Sequence, residues 1–194
     1  MDAADGAAQV GVDANGGWTP IEAFRALPIL VVLGVAFLAL PVDRLLPHVM
    51  REITKCSSIP IVAQESMFTL RDEADAAHAP ITNIWELTPS THAGLVSTLD
   101  QLGTSRTIGI PCLLGSTIQL GIATAFIAHI GATFDTVHRS PVPFDDIGPI
   151  YHENDIVATG VTLAGGFARV PDGPGLGVEL DEGGVAAHMV SGWR

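Results

Sequence analysis

The chain alternates between short apolar runs and longer stretches in which apolar residues recur at helical spacing. An apolar run ends on Asp13, with Asn15 and two glycines after it and Thr19-Pro20 opening a helical pattern. The segments 58–66 and 80–87 read as strands, and 67–79 between them has helical spacing. Leu95, Leu99 and Leu102 share one face of a predicted helix over 92–105. A strand is predicted at 107–116, ending in Gly-Ser, a small-residue helix at 119–133 and a further strand at 134–138. Strand and helix in regular alternation predict parallel βα units, in a barrel or an open sheet. After about residue 150 the texture shifts to short extended pieces and Gly/Pro turns. This divides the chain into a main body, 1–150, and a mostly extended tail, 151–194, packed across it.

One stretch competes with a soluble reading. Residues 26–42, "ALPILVVLGVAFLALPV", are almost unbroken apolar sequence, and a membrane-spanning helix needs about 20 such residues. Pro28 and Pro41 trim the run and Gly34 divides it. The preferred reading is the end of a helix, a turn at Gly34 and a buried strand, "VAFLAL", since buried parallel strands are apolar on both faces.

At 194 residues and 47% hydrophobic content the chain is long enough and apolar enough for one packed domain. Nine basic residues stand against 21 acidic ones, a formal net charge of −12. That balance excludes a broad basic surface for nucleic acid and disfavours anionic membrane. Cys56 and Cys112 have no ligand spacing, and the acidic N-terminus lacks the positive start of a secretion signal, so a reduced cytoplasmic protein is expected.

Several segments, in order, resemble the C-terminal barrel domain of the enolase superfamily, in its mandelate racemase and muconate-lactonizing branch. "VDANGGWTPIEA" (12–23) is similar to the end of the third barrel strand, "LGVAFLALPVDR" (33–44) to the fourth and "SIPIVAQES" (58–66) to the fifth. "ITNIWELT" (81–88) resembles the sixth, 109–129 the seventh, and 144–157 with 170–182 the eighth loop and closing segment. The resemblance implies an α/β fold, an incomplete (β/α)8 TIM-type barrel holding roughly the third to eighth strands plus an extended C-terminal segment. It also implies Mg²⁺ held by one carboxylate from each of three strands, and proton abstraction next to a carboxylate.

Carried over residue by residue, the resemblance puts the metal ligands at Asp13, Ala39 and Gln64. Only Asp13 is a carboxylate there; Ala39 stands at the glutamate position and Gln64 is a weak amide donor. Trp85 falls at the position of the catalytic lysine, and Asp145 keeps an acidic residue of the eighth loop as a catalytic candidate, with Asp146 beside it. Asn15 and Ser116 are substrate-binding candidates by the same carry-over. Glu65 adjoins Gln64, but strand alternation predicts that it points the other way. Asp13 also has an ordinary reading, since Asp, Asn and Gly build tight turns.

The expectation is a degenerate member of a family of isomerases acting on small carboxylates, a truncated pseudoenzyme with weak or absent Mg²⁺ binding. The family's second-strand lysines and capping domain are expected to be missing, leaving open sheet edges that favour self-association or a completing chain. The alternatives are a non-catalytic binding or assembly protein on the barrel framework, one half of a split enzyme, or a membrane-anchored protein using 26–42.

Overall fold

The computed structural model describes residues 8–138 and 140–190. In chain order the elements of the main body are β1 (Val12–Asp13), α1 (Pro20–Val32), β2 (Leu38–Ala39), α2 (Pro47–Cys56), β3 (Ile61–Ala63) and α3 (Leu70–His78). They continue with β4 (Ile84–Leu87), α4 (Gly94–Ile108), β5 (Cys112–Leu114), α5 (Gly121–Thr133), α6 (Asp135–His138) and α7 (Gly148–Tyr151). The five strands form one parallel sheet in the order of the chain, β1 to β5, each pair joined through a helix. That sequential order is the winding of a barrel, in which strands add one after another in one direction. Beyond β5 the Asp145 N–H donates to the Leu114 carbonyl at 3.0 Å, so an extended segment lies in the next place.

Alternation along the strands builds two apolar layers. Ala39, Val62, Ile84 and Leu113 face inward with Val142 and Phe37 and fill the lumen. Leu38, Ile61, Ala63, Trp85, Leu87, Cys112 and Leu114 face outward against the helices, where they meet Leu27, Ile53, Ala76, Leu102 and Ile127. Burial on both faces is what the unbroken apolar runs express.

The run 26–42 resolves as the strand reading has it. α1 ends at Val32, Gly34 turns the chain at φ +71°, and β2 follows. Among the described residues no helix is long and apolar enough to cross a membrane. α1 begins where Thr19 and Glu22 cap each other: the Glu22 N–H donates to Thr19 Oγ1 at 3.4 Å, and the Thr19 N–H to Glu22 Oε2 at 2.8 Å.

Residues 134–138 are not the predicted strand. Their last four form α6, and Val137 is buried in the helix layer. The place beside β5 that a strand would need is held by the segment leading to Asp145. The tail, expected to be mostly extended, contains a two-stranded hairpin, β6 (Leu163–Ala164) and β7 (Phe167–Ala168), and a helix, α8 (Glu182–His188). Asp155 ties the tail to the main body by accepting the Gly121 N–H at 2.9 Å, at the start of α5.

Candidate functional site

The C-terminal ends of the strands bring together a small set of carboxylates. Asp13 ends β1 and is exposed; its Oδ1 accepts the Asn15 N–H at 2.8 Å, and Asn15 and Gly16 both take positive φ, at 48° and 68°. Asp13 and Asn15 therefore build the turn into α1, the use that short polar side chains make of such a loop. Ala39 pairs in register with Asp13 and Val62 and is a lumen-filling methyl. Gln64 lies just past β3, and its Nε2 donates to Thr88 Oγ1 at 2.8 Å. Ser116 is buried after β5, and its Oγ accepts the Ile118 N–H at 3.4 Å, a local turn contact.

Trp85 does not enter the lumen. It is fully buried in the helix-facing layer. The next residue, Glu86, takes the inward face shared with Ile84 and Leu113. Its carboxyl lies across Gly115 of the neighbouring chain segment, where a Cβ would overlap it. Burial pushes the Glu86 carboxyl up to about 8, and the nearby charges of Asp145, Asp13 and Glu65 push in the same direction. Asp145 is raised as well, by burial and then by Asp13. Asp146 is buried beside Thr124 of α5 and is pushed up to about 7, by burial first and then by Asp145.

Glu65 lies in the turn that follows β3. β3 stops at Ala63, and a turn closed by the Met67 N–H on the Gln64 carbonyl at 3.0 Å follows. Glu65 Oε2 is buried and unpartnered, and the charge of that carboxylate adds to those acting on Glu86. Glu86 escapes a reading by alignment of motifs. The signal for Glu86 is its period: it lies two residues after Ile84, a lone acid on the inward face of an apolar strand.

These residues do not make the donor set that a hard dication requires. Mg²⁺ asks for oxygen ligands near octahedral geometry, and the three positions offer one turn-building carboxylate, one methyl and one amide already bonded to Thr88. Among the described residues no group of three or more His, Cys, Asp or Glu side chains converges as a metal site. Burial raises the proton affinity of Glu86 and Asp145, and the neighbouring carboxylates add to it, as uncompensated acids do.

Comparison with known proteins agrees with the order of strands and helices. The chain is similar to muconate cycloisomerase 1 of Rhodococcus opacus, 27% identical over 179 residues that cover 92% of this chain and 47% of that protein. It is 28% identical over 178 residues to the L-Ala-D/L-Glu epimerase of Bacillus subtilis, covering 89% of this chain and 46% of that one. The crystal structure of muconate cycloisomerase from Pseudomonas fluorescens superposes with a TM-score of 0.90 at 27% identity, over 96% of this chain and 51% of that chain. The chain thus spans about half the length of the curated relatives it matches. Residues 1–184 match the model of the enolase C-terminal domain-like family, and with its sequentially wound parallel barrel strands the chain belongs to that family.

Proposed function

We propose that this chain supplies the barrel framework of an enolase-superfamily protein of the cycloisomerase and epimerase kind, and that by itself it does not perform metal-assisted proton abstraction from a small carboxylate. One observation carries the reading: the inward face of β4 presents Glu86 at the mouth, where Asp13, Glu65 and Asp145 already place negative charge. An enolate beside a carboxylate needs a dication to hold its two charges. A mouth with Ala39 and Gln64 in place of carboxylate ligands holds a dication weakly, and acids turned inward repel an anionic substrate. The role that fits is non-catalytic, as a binding or assembly component.

Calorimetric titration with Mg²⁺ and Mn²⁺, with exchange of the α-proton of Ala-Glu dipeptide and turnover of muconate followed by NMR, tests this. The expected result is no binding tighter than about millimolar and no exchange above the buffer rate. A stoichiometric micromolar isotherm lost on Asp13→Ala, or metal-dependent exchange, overturns it.

A further inference from the structure

We propose that Glu73 makes the seating of α3 on the barrel depend on a proton: the helix is docked while the Glu73 carboxyl is neutral and loosens when it ionises. Glu73 is fully buried on the inward face of α3, together with Ala76. Neither of its carboxyl oxygens has a hydrogen-bond donor. A buried carboxylate in that position lacks the partners that would offset its desolvation, whereas a carboxylic acid does not need them.

Apart from one hydroxyl, the groups around it suit the neutral form. From α4 the Thr104 hydroxyl works the other way and favours the charged form, but its proton goes to the Asp100 carbonyl at 3.0 Å, which leaves burial to prevail. Ser105, also on α4, spends its hydroxyl on the Leu102 carbonyl at 2.9 Å. From β5 comes the Cys112 thiol, which burial pushes up to about 12 and thereby keeps protonated. On α3 itself Asp72 adds a like charge. His92, which senses Asp72, is kept neutral by burial. Arg51 of α2 reaches the far end of α3 instead, donating to the Ala79 carbonyl at 3.2 Å, and Arg71 pairs with Asp75 on the exposed face at 3.1 Å. Among the described residues no cation compensates the Glu73 carboxyl.

Burial, with Asp72 behind it, pushes the carboxyl up to about 7, so the proton leaves within the neutral range. The consequence reaches the barrel mouth. The turn that carries Gln64 and Glu65 leads directly into α3 through the Thr69 cap, and it is pinned to α4 by Gln101 Nε2 donating to the Met67 carbonyl at 3.1 Å. An α3 that lifts from α4 strains this pin and frees the turn.

Hydrogen exchange on the full chain at pH 6 and pH 9, corrected for intrinsic exchange, reads the docking directly. Protection over 70–78 is expected to fall at least about tenfold at the higher pH while 20–32 keeps its protection. Glu73→Gln and Glu73→Met are each expected to remove the fall. Carbon-13 titration of the parent's glutamate carboxyls supplies a readout that no variant has to fold for, and Glu73 is expected to titrate near neutrality. Equal protection at both pH values, a fall that persists in either variant, or a Glu73 titration at the ordinary carboxylate value overturns the proposal.

Discussion

Replacing Glu86 by Gln removes one proton-binding site and leaves the shape of the mouth unchanged. In the unfolded chain a glutamate titrates near 4.5, and in the folded barrel burial and the charges of Asp145, Asp13 and Glu65 bring it to about 8. The folded state therefore holds the proton more tightly than the unfolded chain does. Its contribution is fully present below about pH 4.5 and is lost as pH rises through 8. At about 1.4 kcal/mol per pH unit, the accumulated loss at pH 7 is about 3 kcal/mol, and solvent at the partly open mouth brings it nearer 1.5 kcal/mol. Glu86→Gln is expected to be nearly isoenergetic with the parent at pH 5 and more stable than it at pH 7 and above. For a domain of this size the difference corresponds to a Tm gain of roughly 3–10 °C. Thermal unfolding of both proteins from pH 5 to pH 8.5 at fixed ionic strength gives the test. Glu73 and Asp146 slope the parent's curve in the same sense, so the difference between the two proteins carries the result. A difference that stays flat across that range refutes the inward placement of Glu86 and the charge it is said to feel.

The same geometry fixes other outcomes. Gly115→Ala places a methyl on the Glu86 carboxyl and is expected to cost about 1–3 kcal/mol, with part of the loss recovered by Glu86→Ala in a double-mutant cycle read by urea unfolding. Trp85→Ala empties a fully buried site in the helix layer and is expected to cost about 3–5 kcal/mol by the same measurement. Thr19→Ala removes the hydroxyl of the α1 cap, at a cost of about 1 kcal/mol in thermal unfolding. Two repaired lumens separate the faces of β4: Ala39→Glu with Gln64→Asp and Glu86→Lys is expected to gain a Mg²⁺-dependent rise in Tm. The same pair with Trp85→Lys is expected to melt below the parent and gain none, because its ammonium enters the helix layer.

Most of the framework is legible in the sequence because burial on both faces leaves a strong local mark. β2, β3 and β5 are apolar at every position, α1 leads into β2, and α3 and α5 follow β3 and β5 at barrel spacing. The start of α1 is readable from Thr19, Pro20 and Glu22, which are capping residues wherever they fall in that order. What the sequence hides is competition for place. "FDTVH" has the β-branched content of a strand, but the ladder position beside β5 is filled by the segment that ends at Asp145, so it closes as α6 instead. The length of β3 is hidden as well: the predicted strand over 58–66 lasts only three residues, so Gln64 and Glu65 fall in the turn after it.

Trp85 and Glu86 show where motif matching and barrel geometry part. A match counts positions along the chain, so a residue one place away counts as a neighbour. In a barrel strand the same step crosses from the lumen to the helices, and a side chain assigned to the wrong parity lands in the wrong layer. Parity also decides the electrostatics. With Trp85 inward the mouth would hold a neutral wall and two or three acids; with Glu86 inward it holds four carboxyl groups, and among the described residues no His, Cys, Asp or Glu cluster converges as a metal site. Two full charges 6 Å apart repel by about 3 kcal/mol at an effective dielectric of 20. Burial and these neighbouring charges favour a proton on Glu86, and Ala39 and Gln64 leave a dication no anionic ligand beyond Asp13 at the family positions. Restoring one ligand alone would add charge to a mouth that already retains a proton to shed it. The ligand positions and the inward residue of β4 therefore have to change together for a dication to become the better partner.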